Sequence, residues 1–346
     1  MNPLFGVLLI AIGSMGAASF YVPINKVKDW SWENFWIFQS IMAYLIAPFL
    51  FAIFTIPDLF EIYSQVPAQP KYFAMLFGFL WGFGGLTFGL TMRYLGVGLG
   101  QSSALGFTTA FGTLIPPMIM GKDFFAPSGI VLLVGVSLAL AGIAIVGYAG
   151  YLKTQDLPEE EQQNAVKEFA LKKGFLIAVF CGIMSACMNF GINGIEGFMD
   201  AGNVFQEVAI ENGVSSVLAS TPGQVFVLLG GFVTNFVWCL ILNIKNKSYK
   251  EYLSVSPKIF LNNVFFSMFG GGLWYLQFFF FGMGQSYLPE DIRVFGWSIL
   301  MALNIAFSNI WGLFILKEWE GVSKKTIKVL VAGIAVLILS TLVIQL

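Results

Sequence analysis

The sequence contains no histidine, and only 11% of its 346 residues are charged. Histidine is the commonest metal ligand and general base in proteins, so its absence argues against enzymes that rely on it. A soluble domain carries about 25% charged residues. This chain has less than half that share and is 57% hydrophobic, which is more apolar sequence than one soluble core requires. We therefore expect much of the chain to face lipid.

Several motifs of enzymes and pumps are also missing from the sequence. There is no G-x-x-x-x-G-K-[ST] phosphate loop, which excludes an ATP-driven pump within this chain. The three cysteines, Cys181, Cys187 and Cys239, match no zinc or redox spacing, and we interpret them as small core residues. The net charge of -1 provides no basic surface, so no nucleic-acid partner is expected. We expect neither a metal nor another cofactor, and no catalytic residues.

Long apolar runs recur along the whole chain. Each is long enough to cross a bilayer of about 30 Å as a helix, which satisfies its own backbone polar groups in lipid. The ten predicted spans cover residues 4–24, 33–56, 72–92, 98–119, 128–150, 174–195, 222–243, 259–282, 294–316 and 326–345. No lysine or arginine precedes the first run, so we interpret it as a permanent span rather than a signal peptide. The sequence predicts an all-α polytopic membrane protein with ten transmembrane helices.

Lysine and arginine are divided unevenly between the two sides of this predicted membrane. The connections after the first, third, fifth, seventh and ninth spans, with their flanks, carry fifteen of the eighteen. The other side carries only Lys71, Lys122 and Arg293. Because cytoplasmic loops are enriched in these cations, both termini are predicted on the outer, periplasmic side of the cell inner membrane.

The longest cytoplasmic connection divides the chain into two halves. It contains "KTQDLPEEEQQNAVKEFALKKG", residues 153–174, in which Pro158 and the Glu159–Glu161 run suit a helix start. We predict a first five-helix repeat over 1–150, a cytoplasmic linker over 151–173 and a second repeat over 174–346. An odd number of spans in each half means that the second half is inverted in the membrane. Inverted repeats are typical of secondary transporters, with the substrate site between the repeats.

Polar side chains recur at helical spacing within the apolar spans. Ser185, Asn189, Asn193 and Glu196 follow one another at steps of four, four and three, which predicts one helical face. Polar groups between membrane helices can also serve as packing contacts, and that alternative stays open. The candidate substrate-binding residues are Tyr21, Gln101, Asn189, Asn193, Trp274, Tyr275, Gln277, Trp297 and Asn304.

Few carboxylates lie where a change of protonation could drive transport. Glu33 opens the second predicted span, close in sequence to Lys26 and Lys28, which we expect to hold it ionised. Glu196 ends the polar face of the sixth span. Either could carry a coupled proton or could serve as an interfacial anchor. Asp291 is the reserve candidate.

Five stretches of the chain resemble the L-rhamnose–proton symporter family, a branch of the drug/metabolite transporter superfamily. They are "FYVPINKVKDWSWE" (20–33), "GLTMRYLG" (89–96), "EFALKKG" (168–174), "GGLWYLQFFF" (271–280) and "LKEW" (316–319). They lie in both halves, so the resemblance covers essentially the whole chain. It implies ten helices, an EamA-like inverted repeat and proton-coupled uptake of a 6-deoxyhexose.

A neutral sugar needs amide donors and acceptors and an aromatic face on which to stack. Trp274 and Gln277 are three residues apart on one predicted helical face and meet both needs. We therefore expect import of L-rhamnose or a related neutral sugar with a proton. An exporter of another small metabolite on the same fold is the nearest alternative. A membrane enzyme acting on lipid is the alternative from another class.

Overall fold

The computed structural model describes residues 2–156, 170–290 and 293–343, and their regular structure is helical apart from one isolated β-bridge. The side chains of Tyr21 and Val97 lie outside this description. So do residues 157–169, which hold most of the predicted linker with its helix start at Pro158, and the reserve candidate Asp291.

The helices are numbered here in chain order. They are α1 (Pro3–Ser19), α2 (Tyr21–Ile24), α3 (Trp32–Ser40), α4 (Ala47–Thr55), α5 (Leu59–Gln65), α6 (Ala68–Leu95), α7 (Val97–Ile119), α8 (Pro127–Gln155), α9 (Leu171–Asn193), α10 (Gly202–Glu211), α11 (Thr221–Asn246), α12 (Glu251–Ser254), α13 (Pro257–Gln285), α14 (Phe295–Phe314) and α15 (Lys324–Leu342). A π-helix, Ile41–Ile46, joins α3 to α4, and a 3₁₀ turn, Ser248–Lys250, precedes α12.

Within the described residues, nine helical segments are long and apolar enough to cross a membrane. They are Pro3–Ile24, Trp32–Thr55, α6, α8, α9, α11, α13, α14 and α15. This confirms the prediction of a polytopic helical membrane protein. The remaining predicted span corresponds to α7, a helix of 23 residues that is outside this set. Its sequence includes Gly, Ser and Thr residues and a Pro116–Pro117 pair.

The π-helix within the second spanning segment has a local cause. Pro48 has no backbone N–H and its ring clashes with the preceding turn, so a regular α-helix is disrupted one turn earlier. Ala47 donates its N–H to the carbonyl of Met42, five residues back rather than four. The π-turn is thus placed directly before Pro48, within the segment Trp32–Thr55.

The chain divides into two compact units. Unit 1 comprises Met1–Ala11, Phe83–Asn189 and Gly284–Leu346, and unit 2 comprises Ile12–Gly82 and Phe190–Met283. Four helices, α1, α6, α9 and α13, contribute residues to both units.

Unit 1 has its core among α7, α8, α14 and α15. Helix α8 packs along α15 and α7, and α14 packs against all three of them. The buried side chains at the centre are Ile143, Ala149, Ala302, Ile305, Ala306, Leu330, Ile334 and Leu337. Helix α15 begins at Ser323, whose side chain accepts the N–H of Thr326 at 3.3 Å, an N-terminal cap.

Unit 2 is organised around α11. This helix packs against α3, the π-helix, α4 and α10, and α10 also contacts α5. Gly78 and Gly230 allow α6 and α11 to approach so closely that a Cβ atom at either position would meet the backbone of the other helix. Glycine at these two positions therefore permits close packing of the two helices.

Candidate functional site

The candidate residues fall in both units, and each group is described separately. Unit 1 contains Gln101, Asn189, Trp297 and Asn304. Unit 2 contains Glu33, Asn193, Glu196, Trp274, Tyr275 and Gln277. Tyr21 also belongs to unit 2, but its side chain lies outside the described part of the chain.

An aromatic cluster surrounds Trp274 in unit 2. Its indole stacks on that of Trp81, with ring centroids 5.8 Å apart and planes inclined by 29°. Tyr44 of the π-helix contacts both indoles edge-on, at 5.2 Å from Trp274 and 5.4 Å from Trp81. Phe278 packs against Trp274 at 5.1 Å. Tyr44 and Phe278 are buried, whereas the two tryptophans are only half-buried. The cluster therefore has an apolar base and two partly exposed indoles.

Gln277 lies beside this cluster on α13. Its side chain is only 4% exposed, and its Nε2 donates to the backbone carbonyl of Trp274 at 3.1 Å. The backbone of α1 approaches here, because a Cβ atom at Gly13 would lie 3.0 Å from the Gln277 Cα. The amide predicted to contact substrate is therefore held against its own helix, one turn from the indole of Trp274.

Tyr275 points into the core of unit 2. It is fully buried, and its hydroxyl hydrogen-bonds the Gln224 Oε1 at 3.3 Å. Gln224 in turn donates from Nε2 to the carbonyl of Phe278 at 2.9 Å. Phe51 covers the tyrosine ring edge-on at 5.3 Å. These bonds tie α11 to α13 and hold the helix that carries Trp274.

Asn189 in unit 1 bonds to a backbone carbonyl. Its Nδ2 donates to the Gly112 carbonyl of α7 at 2.8 Å, and the side chain is 1% exposed. Pro116 stands four residues after Gly112 and has no N–H, so that carbonyl lacks its usual helical donor. The asparagine supplies the missing hydrogen bond. This is the packing role that the sequence left open as an alternative for its polar faces.

Trp297 is anchored to the same helix. Its Nε1 donates to the carbonyl of Thr108 at 3.2 Å, and its indole packs against Gly112, where a Cβ atom would clash with it. Asn304, two turns further along α14, is partly buried. Gln101 is partly buried near the start of α7.

Glu33 is 5% exposed at the start of α3. Its Oε1 accepts a hydrogen bond from the Ser248 hydroxyl at 2.7 Å and one from the Asn246 Nδ2 at 3.0 Å. From the sequence we predicted that Lys26 and Lys28 would hold this carboxylate ionised. That prediction named the wrong partners for Glu33. Hydroxyl and amide groups at the end of α11 take that place, because the two lysines lie in the connection before α3.

A polar network surrounds Glu33 and joins the ends of α3, α11 and α12. Asn34 donates from Nδ2 to the Ser248 carbonyl at 2.8 Å and to the Glu251 carboxylate at 2.6 Å. Asn243 donates to the Asn34 side-chain oxygen. The backbone N–H of Ser31 also reaches Glu251, at 2.6 Å. Asn34, Asn243 and Ser248 are buried, so this end of unit 2 is a densely hydrogen-bonded polar region.

Glu196 does not continue the predicted helical face. Helix α9 ends at Asn193, and Gly194 follows with φ +69, in the left-handed region that favours glycine. Glu196 lies in the turn between Ile195 and Met199, exposed to solvent. The prediction of one face running from Ser185 to Glu196 was therefore wrong at its last member. Asn193 is partly buried at the end of the helix.

Within the described part of the chain, no group of three His, Cys, Asp or Glu residues could hold a metal ion. The three cysteines are free and buried, as predicted for core residues. What unit 2 does offer is a partly exposed pair of indoles beside an amide. Binding sites for small neutral molecules combine such apolar surfaces with a few placed polar groups.

Comparison with known proteins gives consistent matches. The model of a family described as "L-rhamnose-proton symport protein (RhaT)" matches residues 2–346. An L-rhamnose-proton symporter of Yersinia pestis (strain Pestoides F) is 37% identical over 342 residues, which is 97% of this chain and 96% of that protein. An L-rhamnose-proton symporter of Pectobacterium atrosepticum is 36% identical over 345 residues, 98% and 96% of the two chains.

The family match covers nearly every residue, and the relatives align over nearly their whole lengths. It confirms the resemblance of the five sequence stretches to the L-rhamnose–proton symporter family, and it favours a transporter over a membrane enzyme. The chain belongs to the L-rhamnose-proton symport protein family.

Proposed function

We propose that this chain imports L-rhamnose together with protons. The observation that carries the proposal is the 37% identity over 97% of the chain to a protein named L-rhamnose-proton symporter. The partly exposed indole pair in unit 2 supports it, since the half-buried Trp81 and Trp274 offer the aromatic face that a pyranose ring stacks on. Gln277, one turn along α13, is the amide placed to exchange its backbone bond for a sugar hydroxyl.

Uptake into proteoliposomes tests this function directly. With an imposed inward proton gradient, we expect accumulation of L-rhamnose above its outside concentration, and a collapse of that accumulation when a protonophore is added. A panel of neutral sugars at equal concentration measures selectivity. Outward movement driven by a proton gradient of the opposite sense, with no gradient-driven accumulation, would instead favour the exporter alternative.

Coupling requires a group whose protonation and sugar occupancy affect one another reciprocally. We propose Glu33 as the first candidate, since it is buried among hydroxyl and amide groups at the start of a spanning segment. Exposed Glu196 is the second. Glu33→Gln mimics the protonated acid, so it should abolish accumulation driven by the proton gradient while sugar exchange continues. If both Glu33→Gln and Glu196→Gln still accumulate sugar, neither carries the proton.

The ten-helix inverted repeat belongs to the same proposal, with α7 as the tenth span and the drug/metabolite transporter superfamily, of EamA-like fold, as the wider group. Three packed pairs support it. They join α8 to α15 and α7 to α14 in unit 1, and α3 with its π-turn to α11 in unit 2. Each pair combines helices at corresponding positions of the halves 1–150 and 174–346, which a two-fold relation between those halves would produce. The segment 151–173 is then the cytoplasmic linker.

We place the chain in the cell inner membrane with both termini outside, from the uneven distribution of lysine and arginine. A single cysteine introduced at Lys247 in a cysteine-free background should be protected from a membrane-impermeant thiol reagent applied to whole cells. A cysteine at Gly213, an exposed turn residue, should react. The opposite pattern would overturn the orientation.

A further inference from the structure

Gln39 is a buried amide without a partner. The side chain lies at the end of α3 within a membrane-spanning segment, and it is 0% exposed. Neither its Oε1 nor its Nε2 makes a hydrogen bond. An amide that is buried in apolar surroundings without a hydrogen-bond partner destabilises the structure that buries it. A polar group is rarely left in this condition unless another state or a ligand satisfies it.

A backbone carbonyl without its usual helical donor lies one turn away. The carbonyl of Ala43 would normally accept the N–H of Ala47, but Ala47 donates to Met42 instead. The next possible donor in a π-turn is residue 48, a proline without an N–H. The Ala43 carbonyl therefore has no helical donor at either spacing. Single π-turns within α-helices occur frequently at functional sites.

Helix α13 supplies the opposite wall. A Cβ atom at Gly271 would meet the Gln39 carbonyl and would lie 3.2 Å from the Ala43 nitrogen, so α13 contacts this face of the π-turn through bare backbone. Ser267 precedes Gly271 by four residues and therefore lies on the same face of α13. Its hydroxyl is fully buried and also makes no hydrogen bond.

The unsatisfied groups define what they can bind. Gln39 presents an N–H₂ donor and a carbonyl acceptor, Ala43 presents an acceptor, and Ser267 presents a hydroxyl that does either. A bare cation would be repelled by the amide N–H₂, and an anion by the two carbonyl oxygens. A hydroxyl group both donates and accepts. Tyr44, the neighbour of Ala43, contacts Trp274, so this polar site lies next to the aromatic cluster.

We propose that Gln39, the Ala43 carbonyl and Ser267 form a site for one hydroxyl-bearing group, either a sugar hydroxyl or a bound water. The site is sealed from solvent in this structure, so its occupant enters when the faces of α3 and α13 separate. If the hydroxyl belongs to a sugar, the proposal rests on the proposed function, and Gln39 is a specificity-determining residue. If the site holds a bound water, the proposal does not depend on that function.

Equilibrium binding of tritiated L-rhamnose to purified protein, competed with analogues that each lack one hydroxyl, tests whether the hydroxyl belongs to a sugar. If the site takes a sugar hydroxyl, one analogue should bind the wild type about tenfold more weakly than rhamnose, and that difference should disappear in Gln39→Met. Ser267→Ala should reduce the same difference. Ser40→Ala is the matched control, because Ser40 is equally buried beside Gln39 but already donates to the Ile37 carbonyl at 3.0 Å.

A high-resolution map of the sugar-free protein tests whether the site holds a bound water. Density within hydrogen-bonding distance of the Gln39 amide supports a bound water, and in that case Gln39→Met should change the affinity for all analogues by the same factor. The proposal is overturned if analogue ratios are equal in wild type and Gln39→Met and the map shows no density beside the amide. A wild type that binds no rhamnose would refute the proposed function, while the map would still decide whether the site holds water.

Discussion

Pro116 in α7 and Pro48 in the segment Trp32–Thr55 each remove a backbone hydrogen bond from a helix, and the chain treats these two gaps differently. In α7 of unit 1, the carbonyl exposed by Pro116 receives the Asn189 amide at 2.8 Å. In unit 2, Pro48 leaves the Ala43 carbonyl without a helical donor, and the nearby amide of Gln39 stays unpaired. The gap at Pro116 is filled by a side-chain amide, whereas the gap at Pro48 is left open.

This difference separates two uses of polar side chains in lipid. A buried amide that fills a backbone gap stabilises one helix arrangement, because losing it leaves an unpaired carbonyl in an apolar medium. A buried amide left unpaired contributes nothing to that arrangement and can be satisfied by an incoming group. Asn189 and Gln39 are both almost fully buried, so burial alone does not distinguish the roles. The hydrogen-bond partners do.

The largest expected effect comes from removing the amide that fills the gap at Pro116. Asn189→Leu leaves the Gly112 carbonyl unpaired and should lower the free energy of unfolding by about 2 kcal/mol. Thermal unfolding of purified protein in one detergent measures it. The control is Pro116→Ala, which restores the helical donor to Gly112. In the Pro116→Ala background, Asn189→Leu should lower the free energy of unfolding by about 1 kcal/mol or less. An equal loss in both backgrounds would contradict the claim that Asn189 replaces the donor missing at Pro116.

Gln277→Leu should have the next largest effect, on sugar binding rather than on folding. The Gln277 amide bonds a carbonyl of its own helix, so it is intermediate between Asn189, which bonds another helix, and Gln39, which is unpaired. Loss of a buried hydrogen bond to a sugar hydroxyl costs about 1–3 kcal/mol, which lowers the affinity for L-rhamnose about tenfold or more. Equilibrium binding measures this, with unfolding temperature as the control. Unchanged affinity would leave Gln277 as a packing residue.

Gln39→Met should have a small effect on stability, in contrast to Asn189→Leu. Methionine is similar in length and carries no amide that needs a partner. Since the wild-type amide makes no hydrogen bond in this structure, the free energy of unfolding of the sugar-free protein should be unchanged or higher. The same unfolding assay applies. A loss as large as that of Asn189→Leu would mean that Gln39 is paired in the native state, and the comparison would fail.

The smallest effect is expected where water competes, at the end of α8. Asp156 accepts the Ser323 N–H at 3.0 Å and the Thr326 hydroxyl at 2.8 Å, and these bonds lower the pKa of its carboxyl group. Its contribution to stability is therefore present above the ordinary carboxyl pKa and is lost as the pH falls through the lowered value. Asp156→Asn should therefore be slightly less stable than the wild type at pH 7, and the difference should shrink as the pH falls through the lowered pKa of Asp156. Unfolding temperature measured against pH checks this.

The spans were predictable from sequence because a bilayer demands long apolar runs, and these leave an obvious pattern. Breaks within a span were harder to predict. Pro48 lies in the apolar run "AYLIAPFLF", and its missing N–H could have pointed to a disturbed helix one turn earlier. The end of α9 was also signalled, since Asn193-Gly194 has the composition of a helix C-terminus that excludes Glu196 from the helical face.

The candidate site was predictable only in part, because its contacts join distant segments. Trp274 and Gln277 were found since they share one helical face. Their partners Trp81 and Tyr44 come from other helices, and no local pattern links them to α13. The role of Asn189 depends on Pro116, more than seventy residues earlier, so its fixed packing partner could not be read from the polar face of α9 alone.

Gly271 carries a consequence for how this family can diverge. The atom that a side chain there would strike first is the backbone carbonyl oxygen of Gln39, and the Met42 Cβ and the Ala43 nitrogen lie further away at 3.1 and 3.2 Å. A second mutation can shrink an opposing side chain, but none can shrink a main-chain carbonyl. No second mutation can therefore compensate for a larger residue at position 271, and such a substitution requires the two helices to separate. A relative with alanine or a larger residue aligned to Gly271 should have lost both the close helix pair and the glutamine beside it.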